Sequence, residues 1–210
     1  MVNNISVHKA IQLIDRPVFT TREISALCGT SLSSASQSLG RLEKEELLTR
    51  AARGIWCVAT DPRFTPFQLV PFLAGNHRAY ISFFSALHLH GMIEQIPQVV
   101  YAATTAHTGR RTTPVGTFSF HRMSPRFFSG YDWYRRGRSF LIASPEKALI
   151  DCLYISSRKG RRFGRFPEID LSKPFSKRKA WSWVKKIPDT RIRQNVHSKL
   201  SSLLAKYGEN

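Results

Sequence analysis

Residues 21–46, TREISALCGTSLSSASQSLGRLEKEE, decide the reading of the N-terminal part of this chain. The stretch REISALC has helical spacing, Thr21 before it is a hydroxyl that can cap it, and Gly29 ends it, since glycine takes the left-handed conformation that closes helices. Thr30 and Ser31 form a short turn with a new cap. A second helix is predicted from about Leu32 to Glu46, with Ala35, Leu39 and Leu42 as its inward stripe. Two helices joined by so short a turn form a helix-turn-helix. Upstream, Val7, Ala10, Ile11 and Ile14 recur at helical spacing, which predicts an amphipathic helix over residues 4–15, ended by Pro17. Val18 and Phe19 read as a short extended link. Downstream, LLTRA (47–51) and IWCVA (55–59) read as two strands around the tip Ala52-Arg53-Gly54. Helix, helix, turn, helix and hairpin in that order define the winged variant.

The face of the second helix turned away from its apolar stripe carries Ser33, Ser34, Gln37, Ser38 and Arg41. Short hydroxyls, one amide and one guanidinium can approach a DNA major groove without steric conflict. Gln37 has the donor–acceptor pair to read adenine, and Arg41 suits guanine or phosphate. Ser33 and Ser34 lie near a helix start, where free N–H groups favour phosphate. Arg50 and Arg53, on the wing, suit an adjacent minor groove or the backbone. The alternative is a solvated polar face on a module used for protein contact.

Composition supports a polyanionic partner. The chain of 210 residues has 32 Lys and Arg against 14 Asp and Glu, a net charge of +18. The excess is uneven: +2 over residues 1–60, +6 over 61–150 and +10 over 151–210. RKGRRFGR (158–165) and KRKAWSWVKK (177–186) interleave cations with Phe and Trp, a mixture suited to phosphates and unpaired bases. Arg110, Arg111, Arg158, Lys159, Arg161, Arg162, Arg165, Lys177, Arg178 and Lys179 are therefore expected to form a basic patch for nucleic acid or an acidic partner.

Other classes are disfavoured. No apolar run approaches the roughly 18 residues of a membrane span, and no apolar leader follows the start, so a cytoplasmic protein is expected. Cys28, Cys57 and Cys152 are odd in number and far apart, unlike a disulfide framework or zinc site. His88 and His90, two apart on a helix, point in different directions and cannot share a metal. Ser82 and Ser85 near His88 have no acidic orienter close in sequence and no G-x-S-x-G turn. Glu146 and Asp151 read as structural, the first suiting its helix dipole and the second pairing with Lys147 four residues earlier. No Walker-type loop occurs. No enzyme activity, cofactor or metal is expected.

Beyond the hairpin, Pro62, Pro66 and Pro71 among apolar residues indicate a packed linker. Domains are expected at 1–62 (winged helix-turn-helix) and 63–210. In the second, residues 80–90 read as a helix ended by Gly91, 98–104 and 115–121 as strands with AHTGRRTTP a loop between them, and 138–143 as a further strand. Ser144-Pro145 open a helix, EKALIDCLY, and 190–207 closes the chain as an amphipathic helix with Ile192, Val196, Leu200, Leu203 and Leu204 inward. The fold class is mixed α+β: a small winged helix-turn-helix and a larger α/β domain.

The runs YISFFSALHLHGMIEQIPQVVYAAT (80–104) and SPEKALIDCLY (144–154), after an N-terminal winged helix-turn-helix, resemble the AbiEi antitoxin family of abortive-infection, type IV toxin–antitoxin operons. The resemblance spans roughly residues 5–155. It implies an antitoxin that counters a nucleotidyltransferase-like toxin, without a stable complex, and that represses its own operon at inverted repeats, as a dimer or as cooperating monomers. A toxin of that class needs paired aspartates to hold two metals, and this chain has no Asp-x-Asp. A second reading makes it a protein-interaction module whose basic domain neutralises an acidic partner directly, with DNA binding incidental.

Overall fold

Each helix in the N-terminal part begins where a side chain satisfies its free N–H groups. In the computed structural model, which describes residues 5–134, 140–158, 163, 166–172 and 175–207, α1 (Val7–Ile14) is capped by Ser6 and α3 (Leu32–Lys44) by Ser31. For α2 (Thr21–Cys28) the cap is Thr20, not the expected Thr21. Thr20 Oγ1 accepts from Glu23 N, and the Glu23 carboxylate accepts from Thr20 N, a reciprocal box that places Thr21 inside the helix. Gly29, at φ 63°, closes α2.

Val18 and Phe19 are more than a link. With Thr20 they form β1 (Val18–Thr20), which pairs antiparallel with β3 (Ile55–Cys57); β3 in turn pairs with β2 (Thr49–Ala52), giving a three-stranded sheet in the order β1-β3-β2. The core of this part is Ala10, Phe19, Ile24, Cys28, Ala35, Leu39, Leu42, Leu48 and Trp56, so the apolar stripe of α3 faces inward as its spacing required.

The chain divides into two compact units. The first comprises 1–73 with 112–116, the second 74–111 with 117–210. The division thus falls later than the expected 62, because Pro66–Leu69 forms a 3-10 turn running directly into α4 (Val70–Leu73), with Leu69, Val70 and Leu73 buried.

The second unit is built on a six-stranded mixed sheet in the order β6-β7-β5-β4-β9-β8, save for the turn end of the β6–β7 hairpin, 112–116, which falls in the first. Its strands are β4 (Ala79–Ile81), β5 (Val99–Thr104), β6 (Gly109–Thr113), β7 (Gly116–Arg122), β8 (Tyr131–Trp133) and β9 (Leu141–Ala143). β4 is antiparallel to β5 and parallel to β9; β5 and β7 are parallel. Two expectations are corrected. The start of the expected 80–90 helix is strand, because Tyr80 and Ile81 continue a run buried within the sheet; the helix, α5 (Phe83–Leu89), begins after Ser82. The expected loop around Arg110 and Arg111 contains β6, an edge strand whose exposed, alternation-free sequence gave no strand signal.

α6 (Pro145–Ser157) starts at Ser144 and Pro145 as expected, and residues Glu146 to Tyr154 are all buried. A helix covered on every side is a central element; it packs against α5, α7 (Lys177–Lys185) and α8 (Thr190–Tyr207). On α8, Val196, Leu200 and Leu203 are buried, while Ile192 and Leu204 are half-buried. The chain is a mixed α+β protein. Among the described residues no helix is long and apolar enough to cross a membrane.

Candidate nucleic-acid interface

The exposed face of α3 follows from its stripe. With Ala35, Leu39 and Leu42 buried, Ser33, Ser34, Gln37 and Arg41 point to solvent, and Ser38 is half-buried. Ser34 is partly engaged already: its backbone N–H donates to Ser31 Oγ at 3.1 Å, and the two hydroxyls lie 2.9 Å apart. Gly40 adds no bulk, and a Cβ there would meet nothing within 4 Å. The face offers small groups flanked by one long amide and one guanidinium.

The hairpin is fixed to the helices rather than hanging from them. Thr21 N donates to Gly54 O at the hairpin tip (3.0 Å), and the buried Trp56 Nε1 donates to Thr21 Oγ1 (2.8 Å). One residue at the start of α2 thus ties both the hairpin turn and β3 to that helix before any ligand arrives. Such preorganisation lowers the ordering cost of binding. Arg50 is exposed on β2, its guanidinium 5.4 Å from the centre of the Trp56 ring, and Arg53 is exposed in the turn.

The expected basic patch divides. Arg110 and Arg111 are exposed on β6, and Arg158 is exposed at the end of α6. Lys177, Arg178 and Lys179 are exposed in the first turn of α7. Cations there oppose the helix dipole and add to its positive N-terminal potential. Lys159, Arg161, Arg162 and Arg165 lie outside the described residues.

The Lys147–Asp151 pair expected from the helical spacing is present, but sequence reasoning missed the buried polar cluster around it in the second unit. The Lys147 ammonium pairs with Asp151 one turn later, both fully buried, and donates to Tyr80 Oη at 3.0 Å. Asp151 also accepts from Tyr80 Oη (3.0 Å) and Ser82 Oγ (2.7 Å). The ammonium sits 4.2 Å from the Phe127 ring centre and 5.6 Å from those of Tyr80 and Trp183. Burial pushes the Asp151 carboxyl up and the Lys147 amine down, and each partner's charge opposes the other's shift. The same burial, with the Asp151 charge, raises the Tyr80 phenol well above its ordinary value.

Ser82 therefore does meet an acid, brought from 69 residues away. Phe83 follows it at φ 56°, a left-handed conformation costing about 1–3 kcal/mol in a non-glycine residue. This strand–turn–helix corner bears a serine, and Ser82 is fully buried, bonded to Asp151. Ser85 donates to Val99 O and accepts from Tyr101 N, and His88 lies against Ile93 O, so no serine–histidine pair forms on α5. The cluster is an anchor: it ties β4 to α6, while Glu146, also buried, accepts from Ser176 N and holds the start of α7. His90 is spent on Ala143 O at 2.8 Å. Among the described residues no group of three or more His, Cys, Asp or Glu side chains is placed to hold a metal ion.

No protein-family model matches this chain, and no curated protein matches it.

Proposed function

We propose that the chain is a DNA-binding regulator whose first unit acts as a winged helix-turn-helix and whose second unit performs an antitoxin role. The observation that carries the DNA-binding half is the exposed face of α3, Ser33, Ser34, Gln37 and Arg41, in the same unit as a hairpin that bears Arg50 and Arg53 and is tied to α2 through Thr21. Gln37 and Arg41 read bases in the major groove; the serines and wing arginines fix register on phosphate. The antitoxin half, including self-repression at inverted repeats and opposition to a nucleotidyltransferase-like toxin in the cytoplasm, rests on the resemblance to AbiEi antitoxins.

The test is a titration of the protein on its own upstream DNA and on scrambled DNA at two salt concentrations. Selective binding that weakens steeply with salt is expected. Replacing Gln37 and Arg41 by alanine is expected to cut the preference for the operator about tenfold or more, since a good base contact discriminates by about 1–3 kcal/mol. An unchanged preference removes α3 from the mechanism.

One observation favours a second reading. The cations at the start of α7 belong to the second unit, and the first sixty residues carry only +2. A basic second unit that grips an acidic partner protein uses that charge directly. Co-purification with the neighbouring toxin at moderate salt supports this reading; its failure, with selective operator binding, supports the first.

A further inference from the structure

On the face of the second unit's sheet that carries Tyr101, the floor is polar and aromatic instead of aliphatic. β5 and β7 run parallel with Tyr101 opposite Ser119 and Ala103 opposite His121, so Tyr101, Ser119 and His121 share that face. Ser119 Oγ and His121 Nε2 are 3.1 Å apart. α5 contributes Phe84, and Phe163 packs over the same residues. Between them lies a cavity of about 350 Å³, with Arg110 and Thr108 at its margin.

Three features separate this cavity from an imperfectly filled core. Phe84, Tyr101 and Ser119 are only half-buried, where a covered sheet face would be closed. Its rings stand across one another, Phe84 at 84° and Phe163 at 70° to Tyr101, so an incoming planar group meets both a ring face and ring edges. Its rim carries a cation: Arg110 lines it beside Thr108, whose Oγ1 accepts from the backbone N–H of Arg122. Among the described residues no acidic side chain lines it.

We infer that this cavity is a nucleotide-binding pocket: a nucleobase lies against Tyr101 and Phe84, its polar edge meets Ser119 and His121, and Arg110 takes the phosphate. The ligand chemistry is planar, aromatic and anionic, and the volume is at the lower end of small-molecule sites. Such a group arrives either as a free mononucleotide or as an unpaired nucleotide within a single strand. The pocket does not depend on α3, so it stands or falls separately from operator recognition.

The experiment is calorimetric titration of the full chain with nucleoside 5′-monophosphates, with the parent nucleosides and inorganic phosphate as references, and with short single-stranded oligonucleotides, at raised salt to suppress non-specific attraction. The wild type is expected to bind the monophosphates more tightly than either reference. Ser119→Leu, which fills the floor, is expected to weaken binding about tenfold or more, as loss of one stacked base does. Arg110→Ala, at an exposed position that leaves the fold untouched, is expected to lower affinity for the monophosphates but not for the nucleosides. Gln37→Ala/Arg41→Ala is expected to bind them as the wild type does. If only the oligonucleotides bind and both pocket variants weaken them, the occupant is an unpaired nucleotide of a strand. If neither the monophosphates nor the oligonucleotides bind more tightly than inorganic phosphate, or if Arg110→Ala and a folded Ser119→Leu leave the binding intact, the pocket is overturned.

Discussion

Replacing Lys147 by methionine removes the ammonium and keeps most of the volume, so the change is electrostatic. Asp151 keeps donors in Tyr80 and Ser82 but loses its buried countercharge. Breaking a buried pair by deleting one partner costs about 3–5 kcal/mol, a large share of the roughly 5–15 kcal/mol that stabilises a domain. The loss depends on pH in a defined direction. Unfolded, Asp151 titrates at its ordinary 3.8; folded, burial raises it, and without Lys147 the main force pulling it back down is gone. Between these two values the folded variant holds a proton that the unfolded chain has released. Its stability therefore falls as pH rises, by about 1.4 kcal/mol per unit. The wild type, whose ammonium supports the carboxylate, is flatter over the same range. Urea denaturation at pH 5 and pH 8, followed by a signal from the second unit, measures both slopes. A deficit below about 1 kcal/mol, or one equal at the two pH values, refutes the account of the cluster as a charged anchor.

Gly130→Ala is expected to be more damaging than its size suggests. Gly130 sits at φ 82°, and a Cβ there would stand 2.4 Å from Trp183 Cζ2 and 3.1 Å from Lys147 Cγ; conformational strain of about 1–2 kcal/mol adds to overpacking of about 1–3 kcal/mol, read as a lowered melting temperature. Thr21→Val removes the acceptor of the buried Trp56 N–H, at a cost of about 1–3 kcal/mol; calorimetry is expected to show the loss in the first unit, and, on the proposed DNA-binding reading, operator affinity should fall as the hairpin loosens. Burial pushes the Cys57 thiol up to about 11, so little thiolate exists at neutral pH, and Cys57 is expected to resist alkylation until the protein unfolds, as mass spectrometry of the labelled peptide would show.

The first unit was legible because its signals are local. The stripe of α3, the glycine after α2 and the hairpin residues each act within a few positions; the β1 pairing, the exact cap of α2 and the helical turns over Pro66–Leu69 and Val70–Leu73 escaped. In the second unit the decisive partners are distant. Tyr80 and Ser82 lie in one of the runs that carry the family resemblance, Lys147 and Asp151 in the other, and their meeting is invisible along the chain. Lys147 and Asp151 spacing predicted a helical pair, but not that both would be fully buried. The Ser119–His121 floor was hidden for a similar reason. Strict alternation in β7 marks a strand but does not say which face remains open or which rings from α5 approach it.

The order of synthesis meets the strand order awkwardly. β4 is central in the sheet, yet its parallel partner opposite Ile81 is Ile142, and the tryptophan that roofs Lys147 is residue 183. On a ribosome adding about 5–20 residues per second, the core cluster shared by the three N-terminal helices and their hairpin is complete by Trp56, while the second unit waits several seconds more with β4 open on one side. A nascent chain therefore passes through a stage with a finished N-terminal module and an unfinished sheet edge. Stalling or premature termination in that window releases a species with its N-terminal helical core formed but prone to edge-to-edge association.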